Sequence, residues 1–361
     1  MRVDRLWLRG FRNLAELSLA PGARFNVISG DNGQGKSNLL EAIEYLGSLR
    51  SFRGAGALEL IARGSAQAEI AAQVQGGAST AGHQLRVRIP RKGAREVAID
   101  SKRPRSRASY LGTVQTVLFH PGDLQLVAGA PELRRALLDR VLERFDPTYA
   151  ATLAAYERAL RSRNHLLRAE HPDRRAISAY HEVLASAGSI IAKARERLVA
   201  ELSQLVRDAF AAISGEPERL GVRYEPRVEP ELSALRTALE HSLDKDLARG
   251  FTAEGPHADE LVFTLDGVVA KRYASQGQQR AIVLAVKVAE LHELSRRAGH
   301  VPVLLLDDVS SELDSQRGRR LFGLLGELGG QVFLTTTQPE LILLERERRD
   351  FRVQAGVVQP L

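Results

Sequence analysis

One stretch, Gly30 to Ser37, constrains this chain more than any other, because it fits the pattern G-x-x-x-x-G-K-[ST] of a phosphate-binding loop, or P-loop. Residues 24–29 before it predict a short β-strand, and residues 38–49 after it carry leucine and isoleucine at helical spacing. The backbone N–H groups of such a loop and the N-terminus of the following helix converge on one anionic site. We therefore predict a nucleotide site in which Lys36 reaches the β- and γ-phosphates and Ser37 holds Mg²⁺.

A second motif, at residues 303–308, is an apolar strand that ends in two carboxylates. In a buried parallel strand, charge is tolerated only at the carboxyl end, where ligands bind. We predict that Asp307 contacts the Mg²⁺ shell, as a Walker-B aspartate does. We predict that Asp308 polarises the water that attacks the γ-phosphate.

A third motif, Ser275–Arg280, immediately precedes an apolar helix. Serine, glycine and polar amides at a helix N-terminus suit recognition of an anion, although alone they indicate only an ordinary helix cap. Together with the P-loop and the Walker-B strand, the hexapeptide resembles the signature motif of ABC-type ATPases. In that class the P-loop of one subunit and the signature of another enclose a single ATP. Residues 307–314 then resemble the D-loop that crosses the same dimer interface.

Further motifs, in their wording and order, resemble the RecF recombination-mediator family from residue 3 to about residue 337. These motifs are Leu8–Asn13, Gly30–Asn38, Phe119–Leu124, Gly129–Arg135, Gly255–Asp259, Ser275–Arg280 and Leu305–Asp314. The resemblance implies a bacterial ABC-type ATPase of DNA repair, replication and the SOS response. It implies a weak, DNA-stimulated ATPase that binds double-stranded and gapped DNA as an ATP-held homodimer. It also implies that RecO and RecR are partners in loading RecA at single-strand gaps.

The resemblance also implies which residues form the site. ATP and Mg²⁺ are the cofactors, Lys36 and Asp308 are the catalytic residues, and Ser37 and Asp307 are the metal-binding residues. The nucleotide-binding residues are Arg12, Gly30, Asp31, Asn32, Gly33, Gln34, Gly35, Lys36, Ser37, Asn38, Ser275, Gly277, Gln278 and Thr337.

The order of predicted elements indicates an α/β fold in which an ABC-ATPase P-loop lobe, with a mixed β-sheet and helices, contains an inserted all-helical lobe. We predict the N-terminal half of the ATPase lobe at 1–120, the helical lobe at 121–215 and the C-terminal half at 216–361. Within the helical lobe, 148–169 and 173–213 predict an antiparallel helical hairpin. The second helix would be about 60 Å long if it were continuous.

Composition excludes several classes of function. The 361 residues include no cysteine, so disulfides, thiolate zinc sites and cysteine nucleophiles are excluded. The N-terminus lacks the apolar core of a signal peptide, and no apolar run reaches the length of a membrane span. We therefore expect a cytoplasmic, nucleoid-associated protein without a membrane partner. The formal net charge of +7 comes mainly from arginine and makes polyanions plausible partners.

Basic residues concentrate between positions 86 and 107, where only Glu96 and Asp100 oppose them. Phosphate contacts of this kind are independent of DNA sequence and sensitive to salt. From this stretch we select as DNA-binding candidates Arg91, Lys92, Lys102, Arg103, Arg105 and Arg107. The helical lobe, with arginines at 158, 161, 163 and 168, is a second candidate. His257 and Asp259 make a poor metal site without a third ligand, so a structural or interface role is favoured for them.

Some positions depart from ABC patterns. The second Walker-B acid is Asp308 where transporters have glutamate, which indicates slow hydrolysis. The switch histidine is missing, and Thr337 is the residue that we assign to its contact. Gln115 is the nearest glutamine for a Q-loop, but it is not in clear register.

Three alternatives stay open at this point. An SMC-like repair ATPase is disfavoured because that class inserts a much longer coiled coil than 121–215. A transporter ATPase subunit is disfavoured by the long interval between Lys36 and Ser275. A nucleotide switch without hydrolysis is disfavoured by the intact Asp307 and Asp308.

Overall fold

The structure is a computed structural model that describes residues 1–76, 82–111, 113–215, 219–308, 315–344 and 347–361. The side chains of residues 107, 108 and 315 lie outside this description. Residues 309–314 of the predicted D-loop also lie outside it. Within the described part, no helix is both long enough and apolar enough to cross a membrane.

The strands and helices are numbered here in chain order. The strands are β1 Arg2–Phe11, β2 Leu14–Leu19, β3 Phe25–Ser29, β4 Gln67–Gln75, β5 His83–Pro90, β6 Glu96–Ile99, β7 Thr116–Phe119, β8 Leu220–Glu225, β9 Glu260–Leu265, β10 Val268–Val269, β11 Val303–Leu306, β12 Val332–Thr336, β13 Arg348–Gln354 and β14 Val357–Pro360. The helices are α1 Lys36–Ser48, α2 Arg107–Leu111, α3 Gln125–Ala128, α4 Pro131–Phe145, α5 Pro147–Leu167, α6 Arg174–Ser178, α7 His181–Ser214, α8 Leu232–His241, α9 Leu243–Arg249, α10 Ala270–Tyr273, α11 Gln276–Ala298 and α12 Ser315–Leu328.

The chain divides into two compact units. The first comprises Met1–Asp123, Ala209–Glu216 and Gln276–Leu361, and the second comprises Leu124–Asp208 and Pro217–Ser275. The first unit contains an antiparallel sheet of order β2-β1-β4-β5-β6 and a mixed sheet of order β14-β13-β3-β12-β11-β7. In the mixed sheet, β13, β3, β12, β11 and β7 are parallel, and β14 pairs antiparallel with β13.

Helix α1 lies at the centre of the hydrophobic core of the first unit. Its leucine and isoleucine side chains are fully buried, in one cluster with the inward residues of both sheets. Strand β5 shows why the antiparallel sheet forms, because buried residues alternate with half-buried or exposed ones along it, from Leu85 to Ile89. Strands β3 and β11 are buried at every residue, as expected of parallel strands covered on both faces.

The second unit contains helices α3 to α6, most of α7, helices α8 to α10, and an antiparallel sheet of order β10-β9-β8. Helices are present over both segments of the predicted hairpin, as α5 and α7, but the second segment is interrupted, because α6 ends at Ser178 and α7 begins at His181. The 34 residues of α7 span about 51 Å. The predicted division at 215 and 216 differs from these units, because β8 and β9 pair with each other in a separate sheet. Residues 217–275 therefore group with the helices rather than with the ATPase sheet.

A candidate ATPase site

The parallel strands of the mixed sheet bring four loops to one edge. The order β7, β11, β12, β3 places the carboxyl ends of these strands side by side. His120, Asp307, Thr337 and Gly30 each follow directly on one of these ends. We call this edge the nucleotide edge. It is where ligands bind in open α/β sheets.

The P-loop connects β3 to α1 in a shape that requires glycine. Gly30 and Gly35 have φ angles of 149° and 120°. A Cβ atom on Gly30 would lie 2.3 Å from the Val353 carbonyl oxygen, and one on Gly35 would lie 2.7 Å from Oδ1 of Asn13. Both positions therefore exclude a side chain. The loop backbone is held against its neighbours in a shape that leaves N–H groups for an anion.

The turn between β13 and β14 braces the P-loop, and sequence analysis missed this contact. The Gln34 carbonyl accepts the N–H of Gly356 at 3.0 Å, and Oε1 of Gln34 accepts the N–H of Ala355 at 2.6 Å. Nδ2 of Asn13 donates to the same Gln34 carbonyl at 2.9 Å. Asn13 stands in the predicted family motif at residues 8–13, which was the one signal available for this role.

Lys36 is buried at the base of the loop and donates to the carbonyl oxygens of Gly30 at 2.6 Å and Asp31 at 2.9 Å. Burial lowers the pKa of Lys36, and the nearby carboxylates of Asp308, Asp307 and Asp31 act in the opposite direction. The Lys36 ammonium group and the carboxylates of the two Walker-B acids are therefore close enough in space to influence each other.

Thr335 holds the two Walker-B acids, a contact that sequence analysis did not predict; it assigned only the switch-histidine contact, to Thr337. The Thr335 hydroxyl donates to Oδ1 of Asp307 at 2.8 Å and accepts the backbone N–H of Asp308 at 2.8 Å. Thr335 is fully buried on β12, beside β11, and Asp308 has a φ of 53°. Thr337 is exposed at the carboxyl end of the same strand. The run of three threonines hid which one contacts the acids.

Arg12 and Asn38 flank the P-loop, each with a partner in the protein. The Arg12 guanidinium forms a bidentate pair with the fully buried Glu41 of α1, at 2.8 and 2.9 Å. Nδ2 of Asn38 donates to Oδ1 of Asn13 at 2.8 Å, and Oδ1 of Asn38 accepts from Arg53 at 2.8 Å. These bonds hold the rim of the site.

Gln115 and His120 lie at opposite ends of strand β7. Gln115 precedes β7 and therefore lies at the opposite end of that strand from the nucleotide edge. His120 follows β7 at the nucleotide edge, next to the strand that carries Asp307. Nδ1 of its ring accepts the N–H of Gly122 at 3.1 Å, and the backbone N–H of His120 donates to Oδ2 of Asp123 at 2.9 Å. Sequence analysis looked for a Q-loop glutamine and therefore did not single out His120.

The predicted signature residues lie at the start of α11, the helix that packs on β7. Ser275 is exposed directly before the helix, and Gly277 and Gln278 are half-buried in its first turn. Helix α11 is buried along most of its length from Ala281 to Leu294, so its first turn is rigidly supported.

The basic stretch 86–107 divides by its contacts. Arg91 donates to backbone carbonyls of 62–65, and Arg95 donates to Tyr45 and Leu49. Lys92, Lys102, Arg103 and Arg105 are exposed, and so are Arg91 and Arg95 apart from these hydrogen bonds. The side chain of Arg107 lies outside the described residues.

A buried polar network occupies the second unit around the Gly255–Asp259 motif. Arg195 pairs with Asp139 at 2.8 and 2.9 Å and donates to the Pro256 carbonyl at 2.7 Å. Nε2 of His257 lies 2.9 Å from the Thr252 carbonyl, and its Nδ1 lies 2.6 Å from the Tyr156 hydroxyl. Both ring nitrogens of His257 are thus used inside the protein.

The same segment holds Asp259 and offers no metal site. Asp259 accepts from the Tyr224 hydroxyl and from the Arg227 N–H, and burial raises the pKa of its carboxyl group. Across the described residues, no group of three or more His, Asp or Glu side chains could hold a metal ion. The structure therefore supports a structural role for His257 and Asp259.

The donors at the nucleotide edge fit ATP and Mg²⁺. Loop N–H groups and Lys36 suit phosphate oxygens, and the Ser37 hydroxyl and the Asp307 carboxylate are hard oxygen ligands of the kind that Mg²⁺ takes. The P-loop and the Walker-B pair on this sheet, in a chain that also carries the signature-like sequence at Ser275–Arg280, define a P-loop ATPase of the ABC type.

Comparison with known proteins narrows this class. Residues 2–355 match the model of the RecF/RecN/SMC N terminal domain. The chain is 40% identical over 353 residues to the DNA replication and repair protein RecF of Myxococcus xanthus, covering 95% of this chain and 92% of that protein. It is 42% identical over 375 residues to the RecF of Anaeromyxobacter dehalogenans strain 2CP-C, covering all of both chains. The chain belongs to the RecF family of DNA replication and repair proteins.

Similarity to solved structures is consistent with this family assignment. The structure of "the recombination mediator protein RecF-ATPrS in RecFOR pathway" superposes with a TM-score of 0.88 at 31% identity, covering 100% of this chain and 98% of that one. The Smc head domain from Pyrococcus furiosus matches with a TM-score of 0.59 at 18% identity, covering 99% and 95%, and shares the fold alone. The predicted family and fold class are confirmed.

Proposed function

We propose that this protein is an ATP-gated DNA-binding dimer of recombinational repair with a weak, DNA-stimulated ATPase activity. The observation that carries the proposal is the convergence of Lys36, Asp307 and Asp308 at one sheet edge, with Thr335 bonded to both acids. The relatives named RecF and the RecF-ATP structure of the RecFOR pathway support ATP as the nucleotide.

In this proposal, different residues of the nucleotide edge bind the phosphates, hold the metal ion and activate the water. Lys36 and the loop N–H groups bind and orient the phosphates, and Ser37 and Asp307 would hold Mg²⁺, which neutralises phosphate charge when bound. Asp308 accepts a proton from the attacking water, and its backbone bond to Thr335 fixes its position. We include His120 as a polar group that reaches the same water from the neighbouring strand.

In this proposal, Ser275, Gly277 and Gln278 complete the site of the partner copy, so a monomer carries half of each site. The DNA is double-stranded or gapped and is bound through its backbone. By family membership, RecO and RecR are the partners in RecA loading, and the protein acts at the nucleoid in the cytoplasm.

The test mixes two inactive variants. Ser275→Arg places a bulky cation where the signature meets the γ-phosphate, and Lys36→Arg disables the P-loop, because a planar fork cannot replace a point charge. In the mixed dimer, one site carries both lesions and the other carries none. We therefore expect mixing to restore part of the ATPase activity that each variant lacks alone. Ser233→Arg, at an exposed position on α8, is the matched control and should retain activity.

Sedimentation tests the same proposal from the side of assembly. ATP should drive dimerisation of the unmodified chain by mass action, and Ser275→Arg should abolish it while ATP still binds. A chain that hydrolyses ATP at saturating ATP and Mg²⁺ yet stays monomeric would refute the shared site.

A further inference from the structure

We propose that the β5–β6 hairpin of the first unit forms a phosphate-binding groove for the backbone of double-stranded DNA, centred on Arg86, Arg88 and Arg103. The inference rests on the proposed function, because it names where bound DNA contacts this unit. The groove is a concave site of about 620 Å³. Its lining includes the charged residues Arg86, Arg88, Arg95, Glu96 and Arg103.

Two of these arginines are held in place while part of each stays exposed. Arg86 and Arg88 are two residues apart on β5, so they lie on one face, about 7 Å apart along the strand. Glu69, on the neighbouring β4, lies 3.4 Å from Nε of Arg86 and 3.0 Å from Nε of Arg88. Each arginine side chain is nevertheless 40% exposed. Because a guanidinium has five N–H donors, contact through Nε leaves donors for a ligand.

Arg103 is brought to the groove by a tight turn. Asp100 and Ser101 have φ angles of 50° and 64°, and Ile99 and Lys102 exchange two backbone hydrogen bonds of 2.9 Å across them. A two-residue turn with both φ angles positive is the type I′ turn of a β-hairpin. Arg103 follows this turn, is exposed, and forms no ion pair with any described residue. The turn therefore fixes the backbone directly before Arg103.

The neighbouring Arg91 and Arg95 behave differently. Arg91 donates to the carbonyl oxygens of Ser65 and Ala62, at 2.7 and 3.2 Å. Arg95 donates to the Leu49 carbonyl at 2.6 Å, although it also lines the groove. These two arginines support the hairpin. They are not expected to contribute much to DNA affinity, in contrast to what the sequence predicts for Arg91.

The chemistry of the lining favours the DNA backbone over a base. Its apolar members are Ala94, Val97 and Ala98, so the lining offers no aromatic face for stacking. Proteins that bind single strands generally stack bases on such faces. Arginine forks match phosphate oxygens through two parallel hydrogen bonds. We infer contacts to duplex phosphates that are independent of sequence.

The test measures binding of a duplex to the full chain by fluorescence anisotropy over a range of KCl concentrations. The groove variant is Arg86→Gln/Arg88→Gln/Arg103→Gln. The control variant, Arg5→Gln/Arg63→Gln/Arg352→Gln, removes the same charge from exposed positions of the same unit, outside the basic stretch 86–107. The log–log salt slope should fall in magnitude by about 0.9 for each lost phosphate contact, or about 2.7 in the groove variant. In the control it should fall by less than about one unit.

Each outcome is decisive. If the unmodified chain binds no duplex, the proposed function fails. If the unmodified chain binds DNA but the groove variant keeps its slope, the groove is refuted and the proposed function stands. ATP binding and the melting temperature check folding of each variant. Should the groove variant not fold, Ala98→Glu decides instead. It places a carboxylate opposite Arg86 in the strand register, and unchanged DNA affinity would overturn the inference.

Discussion

The nucleotide edge of the first unit and the buried polar network of the second unit are both rich in charge, but they use it differently. In the network, Arg195 is satisfied by Asp139 and a carbonyl, and both nitrogens of His257 have partners in the protein. At the nucleotide edge, Lys36 is held by carbonyls of its own loop, and two carboxylates gather at a strand end. In the network, the charged and polar groups pair with one another and stabilise the fold. At the nucleotide edge, a lysine and two acids lie together at the end of the strands, an arrangement that suits a charged ligand.

The largest effect is expected from a substitution at the nucleotide edge, which should change ATP turnover without changing stability. Asp308→Asn should reduce ATP turnover by about 10²–10⁴-fold, because an amide cannot accept the proton of the attacking water. The melting temperature and ATP affinity should stay close to those of the unmodified chain. Steady-state turnover together with equilibrium ATP binding measures both. Normal turnover would show that Asp308 is not the general base.

The network should give the opposite result. Arg195→Met leaves Asp139 without its cation and should lower the free energy of unfolding by about 3–5 kcal/mol, with ATP affinity of the folded chain unchanged. The control is Arg236→Met, which breaks exposed pairs with Glu182 and Glu240 and should cost less than about 1 kcal/mol. Urea unfolding measures both variants. Equal losses would contradict a special role for the buried pair.

A smaller effect is expected at Thr335. Thr335→Val keeps the shape of the side chain but removes the hydrogen bonds to Asp307 and Asp308, each of which is worth about 1 kcal/mol. We expect turnover to fall by about 10-fold with little change in ATP affinity. Thr337→Val is the matched control, since that residue is exposed. A larger loss in Thr337→Val would contradict the role of Thr335 and would support the switch contact that the sequence predicts for Thr337.

The smallest effect is expected in the pH dependence of stability, which tests His257 of the buried polar network. Burial lowers the pKa of His257 below its usual 6.5, so the unfolded chain binds this proton more readily than the folded chain. Stability should therefore be lost as the pH falls below about 6.5. His257→Gln should flatten this loss between about pH 6.5 and 5. Asp259, Asp246 and Arg135 are present in both proteins, so the difference isolates the histidine. Parallel stability curves would contradict the assignment.

The sequence predicts the centre of the site better than its supports. The P-loop and the Walker-B acids follow from local patterns of glycine, lysine and an apolar strand, and the structure brings them to one edge. The supporting contacts depend on the tertiary fold. Thr335 reaches Asp308 because β12 lies beside β11, and Ala355 reaches Gln34 from a turn more than three hundred residues away. No local period encodes either contact.

Two parts of the fold were also beyond the sequence analysis. Strand β13 has only two buried apolar residues, Phe351 and Val353, among charged ones, so its pattern did not indicate a strand beside β3. Helices α8 and α9 are short and were not predicted. The helices α5 and α7 were predictable because apolar periodicity over a long segment is a strong signal.

The position of β3 has a consequence for the order of events in biosynthesis. This strand is made about three hundred residues before its neighbours in the sheet, β12 and β13, which come from residues 332–336 and 348–354. The turn that braces Gln34 is made later still, at 355–356. A growing chain on the ribosome therefore carries the P-loop sequence long before it has the sheet that shapes it. Nucleotide binding should appear only after residue 356 has been made, so shorter chains should not form the ATP-dependent dimer.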